Sequence, residues 1–286
     1  MKFLAAHGVE FRCDSRKAPG LVGILNLSAD SFSGDGRMDM KDRFAAILEA
    51  DVSFVDVGAE STRPGSQPVP EEMELALIRE ALRYIRSVST IPVSVDTRKS
   101  AVAEMALCEG ADIINDVSGL QYDPAMADVI AAHKAGLILM HSRGTPETMQ
   151  TEEYLQYDDV CEDITAFFRK QICYAESRGI DREHIMLDPG IGFAKTLEQN
   201  LALIRYGVEL KKIFDLPVFY GVSRKRFLGE LTGQSEASER DFATAGVLTY
   251  LLVHGGADFF RVHHPRGMND MLKTYNILSH NVIGKE

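Results

Sequence analysis

The sequence predicts an α/β protein built as a closed (β/α)8 TIM barrel, and three observations carry that reading. Short apolar runs of strand length stop abruptly at polar residues, and they do so eight times along the chain. The stops fall near residues 26, 56, 96, 115, 141, 188, 222 and 262, which leaves 19 to 47 residues between them, enough for a crossover helix each time. No G-x-G-x-x-G follows the first strand, which argues against the rival open, doubly wound sheet. With 286 residues, 45% of them hydrophobic, the chain can bury one large core, so a single domain over 1–286 is expected.

Taken in order, residues 1–20 read as an N-terminal extension, a small hairpin suited to plugging a barrel floor, and Pro19-Gly20 marks the turn into the first strand. Strand one covers 21–26. A Ser-, Asp- and Gly-rich loop follows over 27–37, then a helix over 39–50 with Phe44, Ile47 and Leu48 on one face. Strand two covers 53–58, and the loop 59–69 leads into an amphipathic helix over 71–88. Strands three, four and five cover 92–96, 111–115 and 137–141, the last followed by a polar loop and a long helix over 158–178. Strand six, 185–188, is broken by Pro189, Gly190 and Gly192, which stop the strand and let a ligand approach the backbone closely. Leu197, Leu201 and Ile204 then recur at helical spacing over 195–205. Strands seven and eight cover 217–222 and 257–262.

Composition narrows the partners. The 31 basic and 42 acidic side chains give a formal charge of −11 with no basic run, which argues against nucleic acid or an anionic membrane as partner. Cys13, Cys108, Cys161 and Cys173 are scattered without C-x-x-C spacing, a pattern of reduced cysteines that fits the cytoplasm. The N-terminus meets charge too early for a signal peptide, and no apolar run approaches the ~20 residues of a membrane span.

In a barrel of this type chemistry sits at the C-terminal ends of the strands. Here those ends carry Asn26, Asp56, Asp96, Asn115, His141, Asp188, Ser223, Arg261 and His263. Each buried polar group costs about 1 to 3 kcal/mol if left unpaired, so such a set is expected to pair with a ligand or internally. Asp96, Asn115 and Asp188 offer the acceptors that a flat heterocycle with several N–H donors requires, as in a guanine-like or pterin-like ring. The same three groups would also suit a divalent cation, and spacing alone leaves both open. Opposite them, 223–226 and 261–266 are basic loops after strands seven and eight, where barrels often hold phosphate, and Gly267 offers a helix start that favours an anion.

These residues carry a resemblance to dihydropteroate synthase that runs from the first strand to the last helix. Its motifs are Glu60-Ser-Thr-Arg-Pro-Gly65, Asn115-Asp-Val-Ser-Gly119, Asp188-Pro-Gly-Ile-Gly-Phe193, Ser223-Arg-Lys225 and Arg261-Val-His263, in the family's order at the expected strand ends. The resemblance implies a transferase of folate synthesis, joining 6-hydroxymethyl-7,8-dihydropterin diphosphate to p-aminobenzoate with release of diphosphate. It implies Asp96, Asn115, Met140, Asp188, Phe193 and Lys225 at the pterin, and Phe32, Thr62, Arg63, Pro64 and Ser223 at p-aminobenzoate. Asn26, Arg261 and His263 would meet the diphosphate, Asn26 would also bind Mg²⁺, and Asp96, Lys225, Arg63 and Arg261 would carry the catalysis. A homodimer and sensitivity to sulfonamides follow from the same resemblance, and the apolar run 243–253 would serve either a core or an interface.

The chain departs from the family pattern in places. Its first loop reads Ser28-Ala-Asp-Ser-Phe-Ser-Gly-Asp-Gly36, with Ala29 in place of a Pro whose loss frees the loop by roughly 0.4 to 1 kcal/mol. Ala59 and Ser142-Arg143 also differ from the commoner Gly and Met-Gln. A catalytically inactive pterin-binding paralogue is the main alternative. A folate-dependent methyltransferase would share Asp96, Asn115 and Asp188 but has no need of Arg63 or Lys225, and no Lys buried within a strand suggests a Schiff-base aldolase.

Overall fold

A computed structural model describes residues 1–13, 18–27, 40–60 and 66–280. Eight parallel strands form the barrel: β3 (Gly20–Asn26), β4 (Phe54–Gly58), β5 (Val93–Asp96), β6 (Ile113–Asp116), β7 (Gly136–Met140), β8 (Ile185–Asp188), β9 (Phe219–Tyr220) and β10 (Phe259–Val262). They pair in the order β8-β7-β6-β5-β4-β3-β10-β9. A single parallel bridge between Leu187 and Val218 joins the two ends, with Leu187 N–H donating to the Pro217 carbonyl at 2.9 Å. Six of these strands are buried throughout and the other two, β3 and β10, for most of their length, which is why each reads as a continuous apolar run and not as an alternating one.

The seventh strand is shorter than the sequence suggests. Pro217 offers no N–H, and Val218 N–H is taken at 3.0 Å by the Asp258 side chain, so regular pairing begins only at Phe219. Asp258 is itself held by Lys211 at 2.8 Å. Asp56 is the other difference: it lies in the middle of β4, fully buried, two residues before the strand stops at Gly58.

Around the barrel run α1 (Met40–Leu48), α2 (Glu71–Val88), α3 (Ser100–Cys108), α4 (Met126–His133), α5 (Glu152–Leu155), α6 (Val160–Ser177), α7 (Leu197–Phe214), α8 (Arg226–Thr232), α9 (Asp241–His254) and α10 (Pro265–His280). In α2 the stripe Ile78, Ala81, Leu82 and Ile85 is buried, the spacing that turns one face of a helix to the sheet. A capping box starts α7, the Thr196 hydroxyl accepting from Gln199 N–H while Gln199 reaches back to Thr196 N–H at 2.8 Å. All four cysteines are free, and among the described residues no helix is long and apolar enough to cross a membrane.

A hairpin of β1 (Lys2–Leu4) and β2 (Glu10–Arg12) closes the N-terminal end of the barrel. Phe3 joins Val22, Phe54, Ile113, Ile138, Met186, Phe219 and Phe259, all near the starts of their strands, in one apolar cluster, and Phe11 packs beneath. The Phe11 ring centre is 5.5 Å from that of Phe54 and 5.7 Å from that of Phe259. Gly136 leaves room for this plug, since a Cβ there would come within 2.6 Å of the Phe3 ring. The floor is therefore solid, and the open mouth lies at the other end. Phe3→Ala should cost about 3 to 5 kcal/mol by opening a cavity in the floor. A urea denaturation midpoint unchanged from the parent would show that Phe11 fills the space.

Candidate active site

The mouth is built by residues that the strands deliver in register. Asp96 and Asn115 are direct partners across β5 and β6, and Met140 is paired with Asp188 across β7 and β8. Asn26 pairs with Gly58 at the far end of β3 and is exposed. Beneath them Asp56 acts as a hub. Its carboxylate accepts from the Ser94 hydroxyl at 2.7 Å and from Asn115 Nδ2 at 3.3 and 3.4 Å. Arg261 bridges Asp56 and Asp96, with Nε 2.6 Å from Asp56 Oδ2 and Nη2 3.0 Å from Asp96 Oδ2. Because Asn115 turns its NH₂ toward Asp56, its Oδ1 faces elsewhere, buried and without a hydrogen-bond partner among the described residues.

Asp188 ends β8, and the backbone turns at once: Gly190 N–H donates to Asp188 Oδ1 at 2.7 Å. Gly190 has φ +68, and a Cβ there would fall 1.9 Å from the His141 carbonyl oxygen, so only glycine fits. Lys225 reaches across from the start of α8, donating to the Ile191 carbonyl at 2.6 Å with its ammonium 4.0 Å from the centre of the Phe193 ring. Lys195 is a buried amine that the sequence shows only as a helix boundary. It donates to the Phe193 carbonyl at 2.8 Å and lies 3.1 Å from His141 Nδ1. His141 in turn fixes strand ends through its N–H to the Asp188 carbonyl, so His141 is a support of the site and not its lining.

The basic loop after strand seven divides its charges. Arg224 adopts φ +60 and is held there by a two-pronged pair to Asp241 at 2.7 and 2.8 Å, and exposed Arg226 pairs with Glu230 at 2.9 Å. Of the three cations only Lys225 is left for the mouth. Beside it Ser223 is buried, its hydroxyl accepting from His263 N–H at 3.2 Å and lying 3.1 Å from His263 Nδ1. Phe32, Thr62, Arg63 and Pro64 lie outside the described residues.

Electrostatics follow from burial. Burial pushes the Asp96 carboxyl up to about 7 even though Arg261 opposes it, and pushes Asp188 up to about 6 against the Gly190 N–H. Burial also lowers Lys225 to about 8 and holds both His141 and Lys195 well below their usual values. Asp56 and Ser94 are the supporting residues that sequence reasoning left without a role. The signal for Asp56 was a lone carboxylate inside an all-apolar strand, which can persist only if paired.

The comparisons with known proteins agree with this geometry. Residues 22–263 match the family described as pterin binding enzyme, and the chain belongs to that family. Within it the chain is 38% identical over 269 residues to the dihydropteroate synthase of Synechocystis sp., covering 93% of this chain and 92% of the relative. It is 37% identical over 264 residues to that of Bacillus subtilis, covering 90% and 88%. Among solved structures, Xanthomonas albilineans dihydropteroate synthase with 4-aminobenzoic acid superposes with a TM-score of 0.86 at 32% identity, covering 97% of this chain and 98% of that one. The Yersinia pestis enzyme in complex with a sulfonamide drug gives 0.86 at 30% identity, covering 98% and 100%. The chain is thus a transferase of the dihydropteroate synthase type.

The raised carboxyls have a consequence for stability. Between about pH 4 and 7 the folded protein keeps protons on Asp96 and Asp188 that an unfolded chain, with carboxyls near 4, has released. The native state binds more protons there, so stability should fall as pH rises through that window. Asp188→Asn should flatten part of the fall, and the Asp188 carboxyl carbon should titrate at about 6 in a ¹³C NMR experiment. Titration below pH 4 would show that the loop N–H outweighs burial.

Proposed function

We propose that the barrel mouth performs the dihydropteroate synthase reaction with the following division of labour. Asp96, Asn115 and Asp188 grip the N–H-rich edge of the pterin, Met140 and Phe193 pack near it, and Lys225 meets its oxygen or nitrogen. The observation that supports this is the buried, unpartnered Asn115 Oδ1 beside buried carboxyls, an acceptor that the N–H-rich edge of such a ring would satisfy. Arg261 and His263 take the diphosphate oxygens. Nε and Nη2 of Arg261 lie 2.6 and 3.0 Å from Asp56 and Asp96. Thr62, Arg63, Pro64, Ser223 and Phe32 form the p-aminobenzoate pocket, where sulfonamides of the kind bound by the Y. pestis relative would compete.

In this scheme the bond from the pterin methylene carbon to the bridging oxygen breaks first, and its electron pair leaves with diphosphate. The arylamine nitrogen then donates its pair to the carbon and sheds one proton to water. Above about pH 7, where both are ionised, Asp96 and Asp188 stabilise the positive charge that spreads over the ring, and Arg261, placed between Asp56 and Asp96, cannot drift from the leaving oxygens. Lys225, a cation of lowered pKa stacked on Phe193, orients the ring without adding a second full charge at high pH. Asn26 fits a Mg²⁺ site of the usual sparse kind: an exposed amide oxygen at a strand end, with substrate phosphate and water completing the shell. Bound there, Mg²⁺ would neutralise charge on the departing diphosphate.

Diphosphate release from the pterin diphosphate with Mg²⁺, measured with and without p-aminobenzoate, tests the assignment. Turnover should require p-aminobenzoate and drop by at least about 100-fold in Asp188→Ala and in Arg63→Ala. Tight pterin binding without any release would instead identify an inactive paralogue. The protein acts as a cytoplasmic homodimer in this proposal. Supporting that, α9 and α10 touch through Thr249 and Met271 and leave Phe242, Tyr250, Val253, Ile277 and Leu278 exposed on the outside, Phe242 by 93%. Sedimentation of protein recovered from the cytosolic fraction should give twice 31.7 kDa, and a monomer at micromolar concentration would remove the dimer.

A further inference from the structure

Away from the mouth, three side chains with metal-binding atoms meet on the surface where α3 and α4 end. Glu104 and Cys108 stand one turn apart on α3, and His133 is the last residue of α4, the next helix around the barrel. Glu104 Oε1 is the shared point: it accepts from the Cys108 thiol at 3.6 Å and lies 3.0 Å from His133 Nε2. One donor atom from each of the three lies within 4.8 Å of the other two. Glu104 and His133 are 29 residues apart, so no local spacing reveals the group and only the packing of the two helices creates it.

The distances suit a late first-row divalent cation. Zinc takes a thiolate at about 2.3 Å and an imidazole nitrogen or carboxylate oxygen at about 2.0 to 2.2 Å, and a tetrahedron of such bonds sets the donor atoms roughly 3.3 to 3.6 Å apart. Cys108 Sγ and Glu104 Oε1 already stand at 3.6 Å, and movements of roughly 1 Å in these side chains complete the arrangement, with water as fourth ligand. A thiolate and an imidazole are poor ligands for Mg²⁺, so the donor set separates this group from any Mg²⁺ site at the mouth. The surroundings also favour a cation. Two helices end here, and a helix C-terminus carries partial negative charge. Partial desolvation, then the Glu104 and Glu109 carboxylates, raise the Cys108 thiol, and the same carboxylates attract a dication in place of that proton. Glu109 is taken by Arg83 and Arg79, which leaves Glu104 as the ligating carboxylate.

We propose that Glu104, Cys108 and His133 form a zinc site that joins α3 to α4. Binding exchanges a proton for the metal: the S–H bond of Cys108 breaks, its electron pair goes to zinc and the proton leaves to solvent, while His133 ligates through Nε2 with its own proton on Nδ1. The site lies apart from the chemistry. α3 and α4 follow the strands that carry Asp96 and Asn115, and their C-terminal ends lead back to the starts of β6 and β7, at the end of the barrel that the hairpin closes. Zinc there clamps two neighbouring helices without touching a substrate, and because it binds the folded arrangement it stabilises the fold.

Titration of the reduced, metal-stripped protein with Zn²⁺ in excess Mg²⁺, and with Co²⁺ as a coloured substitute, tests the site. One equivalent should bind with a Kd of about 10 μM or tighter and release about one proton, and Co²⁺ should show the charge-transfer band of a thiolate ligand. Cys108→Ser should lose the band, and Glu104→Gln and His133→Ala should each weaken binding about tenfold or more. Cys173→Ser, which removes another exposed thiol, should behave like the parent. Zn²⁺ should slow hydrogen–deuterium exchange at the ends of α3 and α4, and it should raise the melting temperature of the parent but not of Cys108→Ser. Undetectable binding in the parent, binding that Cys108→Ser leaves unchanged, or loss of binding in Cys173→Ser would each overturn the site. Binding that leaves exchange in α4 unaltered would overturn the join between the helices.

Discussion

Everything at the mouth depends on one ion pair buried between strands that are distant in sequence. Arg261 on β10 lies between Asp56 on β4 and Asp96 on β5, and none of the three would be stable there alone. The guanidinium compensates the two carboxylates. Asp56 in turn orients Asn115 and Ser94, so a single cation fixes four side chains contributed by three strands. A sheet of parallel strands has no polar groups of its own to spare for a ligand, because its backbone is spent on the ladder. The functional polarity must come from side chains, and side chains in so dry a place require mutual support.

The site also shows a division between charges that hold and charges that act. Arg224, Arg98, Lys99 and Lys195 are all basic side chains near the mouth, and each is bound to protein: Asp241, Glu60, Glu74 and the Phe193 carbonyl. They shape loops. Arg261 and Lys225 are bound to protein as well, to Asp56 and Asp96 and to the Ile191 carbonyl, but they stand on the strand and the turn that those loops surround. Such a partition lets a protein of net charge −11 gather positive potential in one small volume without a basic surface.

Much of the architecture was legible in the sequence. The eight apolar runs gave strands within a residue or two, and Asp188-Pro-Gly-Ile-Gly read correctly as a strand that stops at Asp188 and turns. Strand seven was the exception, because its first donor is captured by Asp258, forty residues away in sequence, which no local pattern reveals. The mouth residues were visible as polar ends of apolar strands. Their supports were not. Lys195 looked like the first residue of a helix, and Lys99 drew no notice; burial, which turns each into a structural post, is a property of the tertiary fold. Asp56 stood in plain view, yet its place one layer below the rim follows from register across three strands and not from its own neighbours.

The barrel's closure is uneven, and this bears on how the molecule behaves as a mechanical object. Strands β3 and β4 are laced by five register pairs, whereas β8 and β9 meet at one bridge, Leu187 to Val218. The wall therefore has a seam, like a cask with one loose stave. Asp188 stands at the top of one side of that seam, and the turn bearing Ser223 and Lys225 stands at the top of the other. A ligand that touches both works as a hoop drawn over the weakest joint, so occupancy stiffens the whole wall at the place where it would otherwise breathe first.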